Sequence, residues 1–429
     1  MKERIAIIDG VRTPIAKAGG KLANIEAEYL GAHVMQEMVH RSGFEYDDFS
    51  EIIVGNVSQP GHAANVARVI ALLAGFDEKS VAYTVHRNCA SGMESITTAA
   101  AKLLSGEGEL YMCAGVESMS NIPLLYSKKM TALFGAMFKA RSLTDKLAVL
   151  SHFKMGYMKP VIGLMQGLTD PITGMMMGST AEILAQDFGF SRSAQDKYAL
   201  QSHLKAAVAR EKGFFKEEIA PIVYNLNAGH IMLDDDGIRP EQTLEALGKL
   251  RPFFDPKNGT VTAGNSSQVS DAAAAVVVMK ESRAKALGIE PLGYLSAYTY
   301  AGLDPKRMGL GPVYATAKLF KDTGLSMADI DLIEMNEAFS VQVMANITAF
   351  ESKVYAQKYF NSSTPIGKID ETLLNVNGGA VALGHPVGMT GTRLVIHTLK
   401  ELRRRKKERG LATLCIGGGQ GASLILEVS

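Results

Sequence analysis

The sequence predicts an α/β protein of layered sheets, built from two similar halves with a segment inserted in the first. Three observations predict it. Short apolar strands alternate with helical patterns. The second half echoes the first: FSEIIVGN (49–56) lines up with DIDLIEMN (329–336), and ELYMCAGVES (109–118) has a counterpart in LATLCIGGG (411–419). Between these, the region from about 123 to 249 breaks the alternation.

Taken in order, strands are expected at 4–9, 51–57, 81–85 and 109–115, with helices at 65–75 and 91–104. Each strand is a short apolar run, and each helix carries apolar residues at helical spacing. In the insertion, Met130, Leu133, Phe134, Met137 and Phe138 recur at i, i+3, i+4, i+7, i+8, the stripe of an amphipathic helix. A second helical segment follows to about residue 158, where Pro160 stops it. From Leu124 to Leu168 the only acid, Asp145, stands against seven bases, and eight of the chain's 21 methionines lie between 124 and 177. Two readings follow. The helices pack on their own core or on a second subunit, or they form a peripheral membrane contact with an anionic surface. The methionines could also line an adaptable apolar channel.

The chain has 429 residues, 45 Lys+Arg against 44 Asp+Glu, and a hydrophobic fraction of 47%, enough for two or three domains around a large core. Near-zero net charge gives no general attraction to nucleic acid. The three cysteines, Cys89, Cys113 and Cys415, show no CxxC and no metal-ligand spacing. An odd number in a long chain fits a reducing compartment. The chain opens into strand-like RIAIIDG without leader character, so a cytoplasmic location is expected, with the inner membrane face if the insertion binds lipid.

Why a scarce cysteine stands in VHRNCASGMESI (85–96) is a chemical question. It lies between a strand and a helix. A helix N-terminus lowers a thiol pKa, and Ser91 and Gly92 leave room for a substrate. The competing reading is an inert buried cysteine. In NVNGGAVALGHPVGMTG (375–391), Pro386 restricts His385 to extended backbone before a helix at 392–402. His385 is either a general base or a structural loop histidine. Cys415 ends an apolar strand in LCIGGGQG, where glycine N–H groups can line an oxyanion hole. The Gly417, Gly419, Gly421 spacing is no dinucleotide fingerprint, because strand-like ASLILEV (422–428) follows where a helix is required. Asn336 ends a strand in EMNEAFS, where an amide can hold a water or serve only the turn. Cys113 reads as core, and RRRKKER (403–409) as a solvated helix end. A nucleophilic cysteine, a histidine base, a second thiol and a glycine-lined oxyanion site together suit acyl transfer through a thioester, with the second thiol moving a proton on and off carbon.

The chain resembles the thiolases. The motifs that carry the resemblance run along the whole chain: NCASGMES around Cys89, GTVTAGNSSQVSDAAAAV (259–276), NEAF (336–339), GGAVALGHPVGMTG (378–391) and CIGGGQGA (415–422). The resemblance implies a thiolase-like five-layer αβαβα sandwich of two similar halves with an inserted loop domain. Its bounds would be 1–122 plus 250–290 for the first half, 123–249 for the loop domain and 291–429 for the second half. It implies acyl transfer between CoA and β-ketoacyl-CoA, with coenzyme A as a substrate and no permanently bound cofactor or metal. By similarity Cys89 would take the acyl group, His385 the thiol proton, and Cys415 the proton at the acetyl carbon. Asn336 would hold a water at one thioester oxygen. The N–H groups of Cys89 and Gly417 would face the other. CoA contacts would fall on Arg239, Ala263, Ser267, Met177, Ala338 and Phe339, with Arg239 toward nucleotide phosphate. Met176 stands where many relatives carry histidine, and Ala246 where some carry serine.

The basic insertion looks like that of the thiolase subunit of fatty-acid oxidation complexes. That implies a homodimer or homotetramer, a complex with a hydratase/dehydrogenase subunit, or membrane contact through 124–168. NEAF looks like the general thiolase form, leaving both thiolytic and condensing branches open. A decarboxylating β-ketoacyl synthase would need histidine at position 415. A non-catalytic lipid- or CoA-binding scaffold would be expected to lose one of the polar site residues, and none is lost.

Overall fold

The computed structural model describes residues 3–429. The first half runs β1 (Ile5–Arg12), α1 (Ala27–Ser42), β2 (Glu51–Gly55), α2 (Val66–Ala74), β3 (Ala82–Val85), α3 (Ser91–Ser105) and β4 (Leu110–Ser118). The inserted segment carries α4 (Lys128–Lys139), α5 (Leu143–Ser151), α6 (Gly163–Gly167), α7 (Met177–Phe188) and α8 (Arg192–Glu211). The chain then returns as β5 (Ser270–Lys280). The second half follows with β6 (Gly293–Gly302), α9 (Gly311–Thr323), β7 (Leu332–Met335), α10 (Ser340–Glu351), α11 (Val387–Arg405), β8 (Arg409–Ile416) and β9 (Gln420–Glu427).

The internal echo is real. The first half orders its strands β3-β2-β4-β5-β1, and the second orders them β7-β8-β9-β6. In both, the parallel pair (β2·β4, β7·β8) is followed by two antiparallel pairs. Leu374 bridges Ile333 in parallel, where β3 lies beside β2 in the first half. The ladders also fix the register. Ile52 pairs Met112 and Leu332 pairs Gly410, so Asn56 matches Asn336 and Glu117 matches Cys415. The counterpart of Cys113 is Leu411. Glu117, four positions further on, occupies the place of Cys415. Sequence similarity could not see this, because Glu and Cys share no chemistry.

Three apolar cores make five layers. Helices α1 and α2 cover the outer face of the first sheet. Helices α9 and α10 cover the outer face of the second. Between the sheets lie α3 and α11, packed on each other and on β4, β5 and β8. Strands buried on both faces read as unbroken apolar runs, and β5 (SDAAAAVVVMK) is buried along all but its last residue. The halves also join edge to edge where Ile5, Ala6 and Ile7 of β1 pair Leu295, Tyr294 and Gly293 of β6.

The insertion differs from expectation. Helix α4 carries the expected stripe, capped by Ser127, but neither α4 nor α5 has a buried residue. Phe138 is 93% exposed and Leu143 74%. The stripe therefore covers no core of this chain. Helix α5 also ends at Ser151, short of residue 158. His152 turns its ring onto the Ala148 carbonyl, and Lys154 leaves helical geometry. Among the described residues, no helix is long and apolar enough to cross a membrane.

Candidate active site

Cys89 sits in a tight turn between β3 and α3. Asn88 adopts φ 44°, a conformation asparagine tolerates and most residues avoid. Its amide nitrogen donates to the Gly417 carbonyl at 2.7 Å, tying the turn to the second half. Ser91 Oγ accepts from Arg87 N–H and donates to the Asn88 carbonyl, closing the turn locally.

Ser91 and Gly92 do not make room for substrate. Both are buried, and a Cβ on Gly92 would lie 2.6 Å from Thr392 Oγ1 and 2.9 Å from the Gly388 carbonyl. The small residue is there so that α3 and α11 can touch. A matching contact exists at Gly388, where a Cβ would meet Val116 O at 2.5 Å and Glu117 Oε2 at 2.9 Å.

That contact places His385 opposite Cys89. Cys89 lies two residues before α3 and His385 two residues before α11, so they hold equivalent places in the two halves. The ring Nδ1 lies 2.7 Å from Thr390 Oγ1, which itself donates to the Pro386 carbonyl at 3.0 Å. The hydroxyl proton is thus used, so Thr390 accepts and Nδ1 carries the ring proton. Nε2 is left with its lone pair, 3.4 Å from the Asn336 amide nitrogen. Burial, with the Arg393 charge behind it, pushes the His385 pKa down to about 3. The ring is neutral at pH 7 and can accept a proton.

Burial pushes the Cys89 thiol up, while the N–H groups of Gly417 and Cys89 itself, aimed at the sulfur, pull it down. The net direction is upward. Desolvation outweighs these donors, against the lowered value expected from the sequence. A neutral thiol beside a neutral imidazole calls for proton transfer during reaction. Cys415, at the end of β8, is raised by burial and then by the nearness of Cys89.

Cys89, His385, Cys415 and Gly417 line one cavity of about 600 Å³. Met176, Met177, Ser267, Ala338 and Phe339 line it too. Asn336 reaches it through His385, and its Oδ1 is buried without a protein partner. Arg239 and Ala263 are exposed and outside the lining, as is Ala246. The insertion contributes Leu164, Leu168 and Ile172 to the apolar lining of the cavity.

Of the buried carboxylates that the sequence reading did not single out, two stand behind the site. Glu117, fully buried, accepts from Ser58 N–H at 2.9 Å, Val57 N–H at 3.2 Å, Gly388 N–H at 2.9 Å and the Asn56 amide at 3.3 Å. Glu337 accepts from Ser202 Oγ at 2.6 Å, Tyr198 OH at 3.0 Å, and the Asn375 amide and Val381 N–H at 3.1 Å, tying α8 to the turn behind Asn336. Both acids stand inside apolar runs, AGVESM and EMNEAF, which was the available signal.

Comparison with known proteins identifies the family. The family model described as thiolase, N-terminal domain, matches residues 5–282, and that described as thiolase, C-terminal domain, matches 289–428. The chain belongs to the thiolase family. A 3-ketoacyl-CoA thiolase of Yersinia pestis is 39% identical over 427 residues, covering 99% of this chain and 97% of its own. The acetyl-CoA acetyltransferase of Bacillus anthracis superposes with a TM-score of 0.86 at 36% identity, over 99% of this chain and 98% of its own. The human mitochondrial 3-ketoacyl-CoA thiolase, solved in complex with CoA, gives 0.84 at 34% identity, over 100% and 98%. The family is one of acyltransferases, and nothing favours a non-catalytic role for this thiolase-fold chain.

Proposed function

We propose that this thiolase transfers acyl groups between CoA and a β-ketoacyl-CoA through a thioester on Cys89. The observation that carries the reading is the convergence of Cys89, His385 and Cys415 on one cavity. In the cleaving direction, His385 Nε2 takes the Cys89 proton and the sulfur attacks the 3-keto carbon. The C2–C3 bond breaks, and Cys415 delivers its proton to C2, releasing acetyl-CoA. The protonated His385 passes its proton to the Cys415 thiolate and takes the proton of the incoming CoA thiol. The CoA sulfur then takes the acyl group, and the departing Cys89 thiolate recovers the proton from His385. The reverse sequence condenses two acyl-CoA molecules.

The Cys89 and Gly417 N–H groups fit an oxyanion at the thioester on Cys89. The free Oδ1 of Asn336 fits a water shared with His385. Met177, Ser267, Ala338 and Phe339 would hold the pantetheine arm, while Arg239 and Ala263 would meet the nucleotide outside the cavity. A thiol alkylator should label Cys89, acyl-CoA should protect it, and Cys89→Ala should lose activity by at least about 10⁴-fold. Unprotected labelling, or an active Cys89→Ala enzyme, excludes the reading.

The exposed apolar stripe of α4 and α5, in a segment rich in lysine, supports a peripheral contact with an anionic membrane. The same stripe suits a hydratase/dehydrogenase subunit, and a dimer or tetramer fits the family. Cosedimentation with anionic liposomes should fall when residues 124–168 are removed, and equal binding rules out the membrane contact.

A further inference from the structure

The register of the two halves puts Glu117 where the second half has Cys415 and Asn56 where it has Asn336. In the second half Cys415 lines the cavity and Asn336 sits against the His385 ring. In the first, Asn56 and Glu117 face each other at 3.3 Å and hold neighbouring backbone. The Glu117 carboxylate reaches in two directions. Toward the first half it accepts from Val57 and Ser58, which line the cavity. Toward the second it accepts from Gly388, three residues after His385 and two before Thr390.

We propose that Glu117 is a positioning residue for the thiolase reaction, holding the first turn of α11, and through it the His385 ring, at working distance from Cys89. Four observations support this. Its side chain links the two loops of opposite halves that bear on the site. Among the described residues, no other acid accepts from Gly388 N–H. The absence of a side chain at Gly388 is what allows the approach, since any Cβ would collide with Val116 and Glu117. Thr390, which fixes the proton on Nδ1, rides on the same turn. A carboxylate offers enough lone pairs for all four donors, whereas an amide would present its own N–H groups to some of them. The inference rests on His385 being the base.

The test is kinetic, on the full-length protein, using kcat per mole of folded, monodisperse enzyme. In Glu117→Gln, kcat should fall about tenfold to a hundredfold, the size of effect a slightly misplaced group carries, while KM for CoA and for acetoacetyl-CoA stays within about twofold. Glu117→Asp, which keeps the acceptors on a shorter arm, should recover part of the loss. Gly388→Ala pushes on the same turn from the other side and should give the same split if Glu117→Gln fails to fold. A His385→Ala enzyme with full activity would sink the base assignment itself. With His385→Ala inactive, kcat within twofold of wild type in both variants, or a loss carried wholly by KM, would overturn the positioning role alone.

Discussion

The two halves of this molecule put the same three positions to different uses, with different residues at two of them and asparagine at the third. Cys89 answers to His385, each two residues before a central helix. Asn56 answers to Asn336, and Glu117 to Cys415. The first pair meets at the cavity. In the other two, Cys415 lines the cavity and Asn336 lies behind His385, whereas Asn56 and Glu117 bind each other and neighbouring backbone. A repeated scaffold thus supplies one set of positions twice, and the two copies put them to different uses.

The strongest challenge to this comparison is at the sulfurs. Cys415→Ala should slow carbon–carbon cleavage by about 10³-fold or more, while exchange of labelled CoA into acetyl-CoA, which in the proposed mechanism uses only Cys89 and His385, persists. Cys113, wholly buried in the first half with Sγ 3.4 Å from the Ser95 carbonyl, should behave oppositely. Cys113→Ala should keep kcat and lose about 1 kcal/mol of stability by denaturant titration. Loss of exchange in Cys415→Ala would show that the two thiols do not divide the work.

The asparagines give a smaller contrast. Asn336→Ala should lower kcat by roughly a hundredfold with little change in unfolding midpoint, the scale on which one oxyanion-stabilising group acts. Asn56→Ala should do the reverse. It strips a buried donor from Val116 O and Glu117, costing about 1–3 kcal/mol. Equal kinetic losses would show that the first-half member also reaches the chemistry.

The subtlest expectation concerns pH. Burial lifts the Glu117 carboxyl to about 7, offset in part by its N–H donors. An unfolded glutamate titrates near 4.5. Between these values the folded chain holds the extra proton, so the contribution is complete below about 4.5 and is lost as pH rises through about 7. Relative to Glu117→Gln, the wild type should lose about 2–3 kcal/mol of unfolding free energy between pH 4.5 and 8. Parallel curves for the two proteins would show that Glu117 titrates as in the unfolded chain.

Much of this was legible in the residues. Strand–helix alternation gave the layers, and the match of 49–56 to 329–336 marked the repeat. Cys89, His385 and Cys415 stood out because thiols are scarce and glycines crowd around them. What stayed hidden depends on three-dimensional register. The counterpart of Cys415 was obscured because similarity of letters favoured Cys113. Ser91 and Gly92 looked like space for a ligand, because sequence cannot say which surface a missing side chain admits. The stripe on α4 predicted a helix well, but an amphipathic pattern does not name what covers it.

The contact at Gly92 carries a genetic consequence. A single added methyl there would wedge apart the two helices that carry Cys89 and His385, though it touches neither. In a selection for growth, such an allele would score with the nucleophile knockouts. It would be mistaken for a lesion in chemistry when it is one in spacing.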